Sequence, residues 1–259
     1  MRILCIGDVV GRIGRDMLFR YAEDLKYQKN IDLIIANGEN SSHGRGITYS
    51  TYNEMTRAGV EGFTMGNHTW NTKEAAVILE KEDNIIRPAN FGKDCPGRGS
   101  MIITANNGIK VGIVNVIGRT YMEPCDSPFD AAEREVQKLS EKTKIILVDF
   151  HAEATSEKEA MGYFMDGKVS AVFGTHTHVQ TADDKILESG TGYITDLGMT
   201  GPEESVLGMN KSIVVKKFVT GMPQKFEIAL GRGIFCGCIF DIDAENGICT
   251  GTERIYIYE

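Results

Sequence analysis

Short apolar runs punctuate the first three quarters of the chain, at residues 3–6, 33–36, 62–65, 111–116, 145–150, 169–173 and 193–195. Runs of this kind suit strands covered on both faces. Between several of them lie segments with helical spacing, at residues 16–26, 51–57, 73–80, 131–141 and 156–164. Strands alternating with helices predict an α/β layered fold. Beyond about residue 195 the pattern changes. Residues 212–218, 224–229, 234–241 and 254–258 read as strands joined by Gly, Pro and Asn turns, which predicts an antiparallel tail. No repeat, low-complexity stretch or linker interrupts the chain, so residues 1–259 are expected to form one domain. Residues 83–99, rich in Asn, Gly and Pro, predict a surface loop.

The polar residues that stand out follow the apolar runs directly. Asp8 comes after Ile6, Glu39 and Asn40 after Ala36, Asn67 and His68 after Met65, His151 after Phe150, and His176 and His178 after Phe173. In open α/β sheets the carboxyl ends of the strands are where ligand sites form. In Gly174-Thr175-His176-Thr177-His178, strand geometry would point residues i and i+2 to one side, so that both imidazoles lean into one volume.

Taken singly, Asp8 reads as a helix cap, Asn67 as a turn residue and His151 as a core histidine. Taken together, four of the five histidines, two carboxylates and two Asn side chains end these runs with oxygen and nitrogen donors that first-row divalent metals accept. Burying so many polar groups at one edge is costly unless something satisfies them. Asp8, Glu39, Asn40, Asn67, His151, His176 and His178 are too many ligands for one tetrahedral zinc and suit two five- or six-coordinate ions sharing Glu39 as a bridge. Two ions about 3.5–4 Å apart clamp a phosphate and lower the pKa of a bridging water. His68 is the strand-end histidine left over. It suits a general acid that protonates a leaving alkoxide, or a residue that orients a ligand.

Other residues near these positions keep two readings each. Arg12, Arg15 and Arg45 could neutralise substrate phosphate or sit solvated on the surface. His43 could border the substrate pocket or merely lie in a glycine-rich loop. Trp70 could wall the pocket, stack on a base or pack at the core or rim. The stretch from Gly7 to Gly14 matches neither nucleotide-binding glycine fingerprint; small residues there are expected to let the backbone pass close to the metal pair.

Composition narrows the setting. A net charge of −8 argues against a surface built to coat nucleic acid, and extended nucleic acid is not expected as a partner. No apolar run approaches the ~20 residues of a membrane span, and the first residues lack the layout of a signal peptide, so a cytoplasmic protein is expected. The six cysteines, at 5, 95, 125, 236, 238 and 249, form no C-x-x-C pair and read as reduced, mostly buried small hydrophobes.

In order and type, Asp8, Glu39-Asn40, Asn67-His68, His151 and His176-Thr177-His178 resemble the blocks of the calcineurin-like metallophosphoesterases. The chain departs from that pattern where Val10 replaces a His, Glu39 a bridging Asp, Thr69 an acid and Thr175 a His. Those departures are similar to the YmdB-like phosphodiesterases, whose blocks are resembled by Gly7-Asp8-Val9-Val10-Gly11, Asn37-Gly38-Glu39-Asn40-Ser41-Ser42, Gly66-Asn67-His68-Thr69-Trp70, Gly174-Thr175-His176-Thr177-His178 and Tyr193-Ile194-Thr195-Asp196-Leu197-Gly198-Met199-Thr200-Gly201-Pro202. The resemblance covers nearly the whole chain. It implies a four-layer α/β/β/α sandwich and a di-iron or di-manganese centre. One ion would be held by Asp8, Glu39, Asn40 and His178, the other by Glu39, Asn67, His151 and His176, with Asn40 taking the place left by Val10. It further implies His68 as proton donor and 2′,3′- and 3′,5′-cyclic nucleotides as substrates. A nuclease or a phosphomonoesterase would use the same chemistry, and a metal-dependent regulatory binding protein is the reading from another class. An even-numbered homo-oligomer is the default expectation for assembly.

Overall fold

The computed structural model describes residues 1–259. In chain order its elements are β1 (Arg2–Ile6), β2 (Asp8–Val9), α1 (Gly11–Gln28), β3 (Leu33–Asn37), α2 (Tyr49–Arg57), β4 (Gly62–Thr64), α3 (Ala75–Lys81), β5 (Ser100–Thr104), β6 (Lys110–Ile117) and α4 (Pro128–Ser140). There follow β7 (Ile145–His151), α5 (Thr155–Met165), β8 (Ala171–Thr175), β9 (Lys185–Ile186), β10 (Gly192–Ile194), β11 (Met199–Pro202), α6 (Lys211–Thr220), β12 (Gly233–Ile242) and β13 (Cys249–Tyr258). They build a seven-stranded sheet in the order β2-β11-β12-β1-β3-β4, with β13 on β12, and a six-stranded sheet in the order β5-β6-β7-β8-β10-β9.

Alternation along the buried strands sorts their side chains into layers. Ile3, Cys5, Leu33 and Ile35 of the first sheet meet Ile113, Leu147 and Phe173 of the second. On the outer face of the first sheet, Leu4, Ile6, Ile34 and Ala36 pack on Met17, Leu18, Met55 and Ile78 of α1, α2 and α3. On the outer face of the second, Val114, Val116 and Val148 pack on Ala132, Val136 and Met161 of α4 and α5. The result is the expected helix, sheet, sheet, helix sandwich. Each fully buried Leu or Ile contributes about 1.5–3 kcal/mol, so the two sheets are held face to face by apolar burial along their whole overlap. The parallel strands β1, β3 and β4, and β6, β7 and β8, send their carboxyl ends to one edge. No helix is long and apolar enough to cross a membrane.

The chain after residue 195 differs from the sequence-based reading. Residues 234–241 and 254–258 do lie in antiparallel strands, but β12 is inserted between β11 and β1 at the heart of the first sheet rather than forming a tail. Residues 212–218 are helical, not a strand. The β-branched run Ile213-Val214-Val215 favours a strand by propensity. It is overridden at both ends of α6, where the Asn210 side chain accepts hydrogen bonds from the Ser212 and Ile213 amides and Gly221 closes the helix in the left-handed conformation. Residues 224–229 form no ladder beyond one bridge between Met209 and Ile228. The 83–99 loop is buried at residues 85–88, where Arg87 is 6% exposed and its guanidinium donates to the carbonyls of Pro88, Cys95, Pro96 and Gly97.

All six cysteines are free, and Cys5, Cys236, Cys238 and Cys249 are buried. Burial pushes all four thiols up, that of Cys236 to about 12. Because the thiolate is the nucleophile, these four should resist Ellman's reagent in native protein at pH 8 and react on unfolding. Rapid native labelling of any of them, read by mass spectrometry, contradicts this packing.

Candidate metal centre

Both sheets deliver donors to the shared edge. Asp8 follows β1, Glu39 and Asn40 follow β3, and Asn67 follows β4; His151 ends β7, and His176 and His178 follow β8. Asp8, Glu39, Asn40 and His151 are all at most 2% exposed. Of the alternative readings, the cap is excluded for Asp8: α1 has no side-chain cap, and Asp8 Oδ2 accepts the His176 amide at 3.0 Å. Gly66 is required here, since a Cβ on it would lie 2.3 Å from the His151 ring. The glycines at 7 and 14 serve a different contact from the one expected. A Cβ on either would strike the carbonyl of Gly198 or Thr200, so they let the 197–200 segment pass rather than bring backbone to the donors.

His176 and His178 converge by a different route from strand alternation. β8 ends at Thr175, and both histidines adopt positive φ, 100° and 64°. Such backbone costs of the order of 1–3 kcal/mol per residue and persists only where the surroundings dictate it. Here Asp196, fully buried, does so. It accepts the Thr177 amide at 3.1 Å and the Gly198 amide at 2.8 Å, and it pairs with the equally buried Lys158 ammonium, which also donates to the Thr175 carbonyl at 2.8 Å.

The three histidines share one arrangement: an oxygen acceptor holds the outward ring nitrogen of each. Thr175 spends its hydroxyl proton on Asp149 Oδ1 at 2.7 Å, so its oxygen is left to accept from His151 Nδ1 at 2.9 Å. Glu153 Oε2 lies 3.0 Å from His176 Nε2, and the Leu207 carbonyl lies 3.1 Å from His178 Nδ1. An outward N–H bound in this way leaves the inward nitrogen as a lone-pair donor. The inward atoms then meet. His151 Nε2 is 2.9 Å from Asn67 Oδ1, 3.1 Å from His176 Nδ1 and 3.2 Å from Glu39 Oε1. With metal–ligand bonds of about 2.1 Å, neighbouring ligands at right angles sit about 3.0 Å apart, so these separations fit donors around one cation. Glu39, His151 and His176 all place a ligand atom within 4.8 Å of one another.

Beside them, His178 Nε2 lies 3.8 Å from Asp8 Oδ1, and the Asn40 carboxamide touches Asp8, Glu39 and His178 at 3.4, 3.4 and 3.1 Å. Asn40 presents Nδ2 to these groups, and the same carboxamide turned end for end presents Oδ1 at the same place. Two half-sites sharing Glu39 could therefore hold two ions.

Electrostatics agree with that capacity. Burial pushes the Asp8 carboxyl above its usual range despite His178 and His151. Burial also opposes the charge on Glu39, but His151 and His68 outweigh it and hold that carboxyl at about 2. Burial would depress His151, yet Glu39, Asp8 and Asp149 raise it to about 9, whereas burial and the neighbouring His151 bring His176 down to about 3. A field strong enough to keep a proton on a buried imidazole also favours a multivalent cation there.

The remaining expected residues divide. His68 is half-buried, and its amide donates to Glu39 Oε2 at 2.8 Å. Arg15 is structural, bonded to Glu54 and to the Ser41 carbonyl, and Arg12 is exposed beside Asp16. Arg45 and His43 line a cavity with Met209, Lys217 and Phe226. Trp70 is exposed at the surface, with its ring 6.0 Å from Phe91.

A family model described as YmdB-like protein matches residues 4–255. The chain belongs to the YmdB-like family. It is 46% identical over 99% of its length to a Bacillus subtilis (strain 168) protein named 2′,3′-cyclic-nucleotide 2′-phosphodiesterase, covering 97% of that protein. A Mycoplasma pneumoniae protein named putative phosphatase/phosphodiesterase is 37% identical over 100% of this chain and 94% of its own. Among solved structures, a hypothetical protein from Thermus thermophilus superposes with a TM-score of 0.93 at 39% identity, covering 100% of both chains.

Asp149, Glu153, Lys158 and Asp196 surround the donors of this YmdB-like chain without having been singled out as candidates. Asp149 had a signal, a carboxylate inside an apolar run; Glu153 had none, because only the fold brings it to His176. Replacing Lys158 by Met leaves Asp196 buried without its partner, a loss of about 3–5 kcal/mol. Urea unfolding should show that loss, and a change under 1 kcal/mol would remove the pair from this account.

Proposed function

We propose that this protein is a metal-dependent phosphodiesterase that opens nucleoside 2′,3′-cyclic phosphates, with 3′,5′-cyclic nucleotides as a second substrate class. The observation that carries the reading is the inward convergence of His151, His176 and His178 on the Asp8 and Glu39 carboxylates, each ring fixed from outside. The relative named 2′,3′-cyclic-nucleotide 2′-phosphodiesterase supports the choice of substrate.

Asp8, Glu39, Asn40 and His178 would hold one ion, and Glu39, Asn67, His151 and His176 the other. The oxygen and imidazole donors, with no thiolate among them, suit iron or manganese. When bound, the ions supply Lewis acidity toward the phosphate oxygens and lower the pKa of a water. Glu39 belongs to both half-sites and sets their spacing. Asp149 and Thr175 fix the His151 tautomer, Glu153 that of His176, and the Leu207 carbonyl that of His178, so the donors are aligned before substrate arrives.

His68, half-buried beside Glu39, acts as general acid. Water adds to phosphorus, the P–O2′ bond breaks, and the His68 proton goes to the departing O2′, leaving a nucleoside 3′-phosphate. Burial, and the charges of Arg45 and His151, lower the His68 pKa against the pull of Glu39. An anionic phosphodiester beside the ring works in the opposite direction and favours the protonated acid.

Turnover of 2′,3′-cAMP should disappear on chelation and return with Mn²⁺ or Fe²⁺, and should exceed that of p-nitrophenyl phosphate. Equal or faster hydrolysis of the monoester favours the phosphomonoesterase reading. His68→Ala should lower kcat by ~10² or more with metal content retained, and undiminished kcat in that variant excludes the acid role. Thr175→Val should weaken metal binding by about 10–100-fold, measured by competition with a chromophoric chelator. Unchanged affinity there would show that the Thr175 hydroxyl does not set the His151 donor.

A further inference from the structure

Between the turn that ends at Arg45 and the 207–229 segment lies a cavity of about 490 Å³, within the ~300–1,000 Å³ of small-molecule sites. Its walls bring together Arg45, Lys217 and Lys225, and no carboxylate lines it. None of these three cations is in an ion pair. Lys217 is positioned by Phe226, with its ammonium 4.7 Å from the ring centroid. In a chain of net charge −8, three unpaired cations around one cavity mark a place for an anion.

The cavity is tied to the metal-donor segments on both sides. The turn that begins with Glu39 and Asn40 ends with Arg45, and it is closed by hydrogen bonds from the Arg45 amide to the Ser42 carbonyl and from the Ser42 amide to the Gly46 carbonyl, both 3.0 Å. The opposite wall is the 207–229 segment. It is bound to the site where the Leu207 carbonyl meets His178 and is closed on itself by Asn210 to Glu227 and Ala229 to Gly208 bonds of 2.8 and 2.9 Å. The two walls touch at Gly44, where φ is +82° and a Cβ would lie 3.3 Å from Met209 and Ile228.

Resting on the proposed cyclic-nucleotide activity, we infer that this cavity is a subsite for a phosphate on the 5′ oxygen of the substrate nucleotide. The reacting phosphate of a nucleoside 2′,3′-cyclic phosphate occupies both the 2′ and 3′ oxygens. The remaining ester position on its ribose is the 5′ oxygen, so a second anion must sit there. The preferred substrate then carries a 5′-phosphoryl group, either a terminal monoester or the diester link to a preceding nucleotide. Guanidinium and ammonium groups bind both by charge-assisted hydrogen bonds.

The test compares kcat/KM of the metal-loaded protein on 2′,3′-cAMP, on its 5′-phosphorylated form, and on the dinucleotide ApA ending in a 2′,3′-cyclic phosphate. Preference for the 5′-phosphorylated monoester over 2′,3′-cAMP should be about tenfold or more, should fall to about twofold in K217Q/K225Q, and should shrink with added salt. A comparable preference for the dinucleotide assigns the subsite to chain ends; a preference confined to the monoester assigns it to free 5′-phosphates. Equal kcat/KM on all three, or a preference that survives K217Q/K225Q, overturns the subsite while the phosphodiesterase reading stands. Absence of turnover on all three contradicts that reading instead. The subsite is then judged by calorimetry, as adenosine 3′,5′-bisphosphate should bind wild type at least tenfold more tightly than adenosine 3′-phosphate, and equal affinities overturn it.

Discussion

Asp8 and Glu39 are carboxylates taken almost completely out of water at the edge where the two sheets meet. Removing one such charge from solvent costs several kcal/mol even after relaxation, and two beside each other cost more unless positive charge is supplied. The imidazoles of His151, His176 and His178 stand around them, and a fixed oxygen acceptor turns each ring. The chain has spent backbone strain and a buried ion pair on keeping that arrangement. His176 and His178 sit at positive φ where Asp8 holds the His176 amide and Asp196 the Thr177 amide, and Asp196 is itself held by Lys158. Such provision is explained if cations complete the charge balance.

The sandwich makes this possible. Parallel strands end together, and packing two sheets face to face brings two such edges into register. Carboxylates and amides come from the first sheet, and histidines from the second. The apolar layer between them, from Ile3 and Leu33 across to Leu147 and Phe173, fixes the separation of the two donor groups. A shift in that layer would move His151 away from Glu39 and Asn67 before it exposed any charge.

The central strands were legible in the sequence because they are covered on both sides, so 33–36, 145–150 and 169–173 read as unbroken apolar runs. The polar residues gathered at the shared edge were legible for a related reason: each directly follows such a run. Edge and short strands were not. β5 is only partly buried and carried no distinct signal, and β2 and β9 span two residues each. Residues 212–218 misled because local caps outweighed β-branched composition. The acceptors behind the histidines, Glu153 and the Leu207 carbonyl, depend on tertiary contacts and could not be read from spacing. The convergence of His176 and His178 was anticipated, but strand alternation was not its cause.

Metal stoichiometry is the most direct measurement of the central claim. Protein purified without chelators and saturated with Mn²⁺ or Fe²⁺ under reducing conditions should carry two ions per chain by elemental analysis, and Glu39→Gln, which weakens the donor shared by both half-sites, should carry at most one. A folded wild-type protein that binds no ion under those conditions would contradict the account, because the buried carboxylates would then be balanced by the histidines alone.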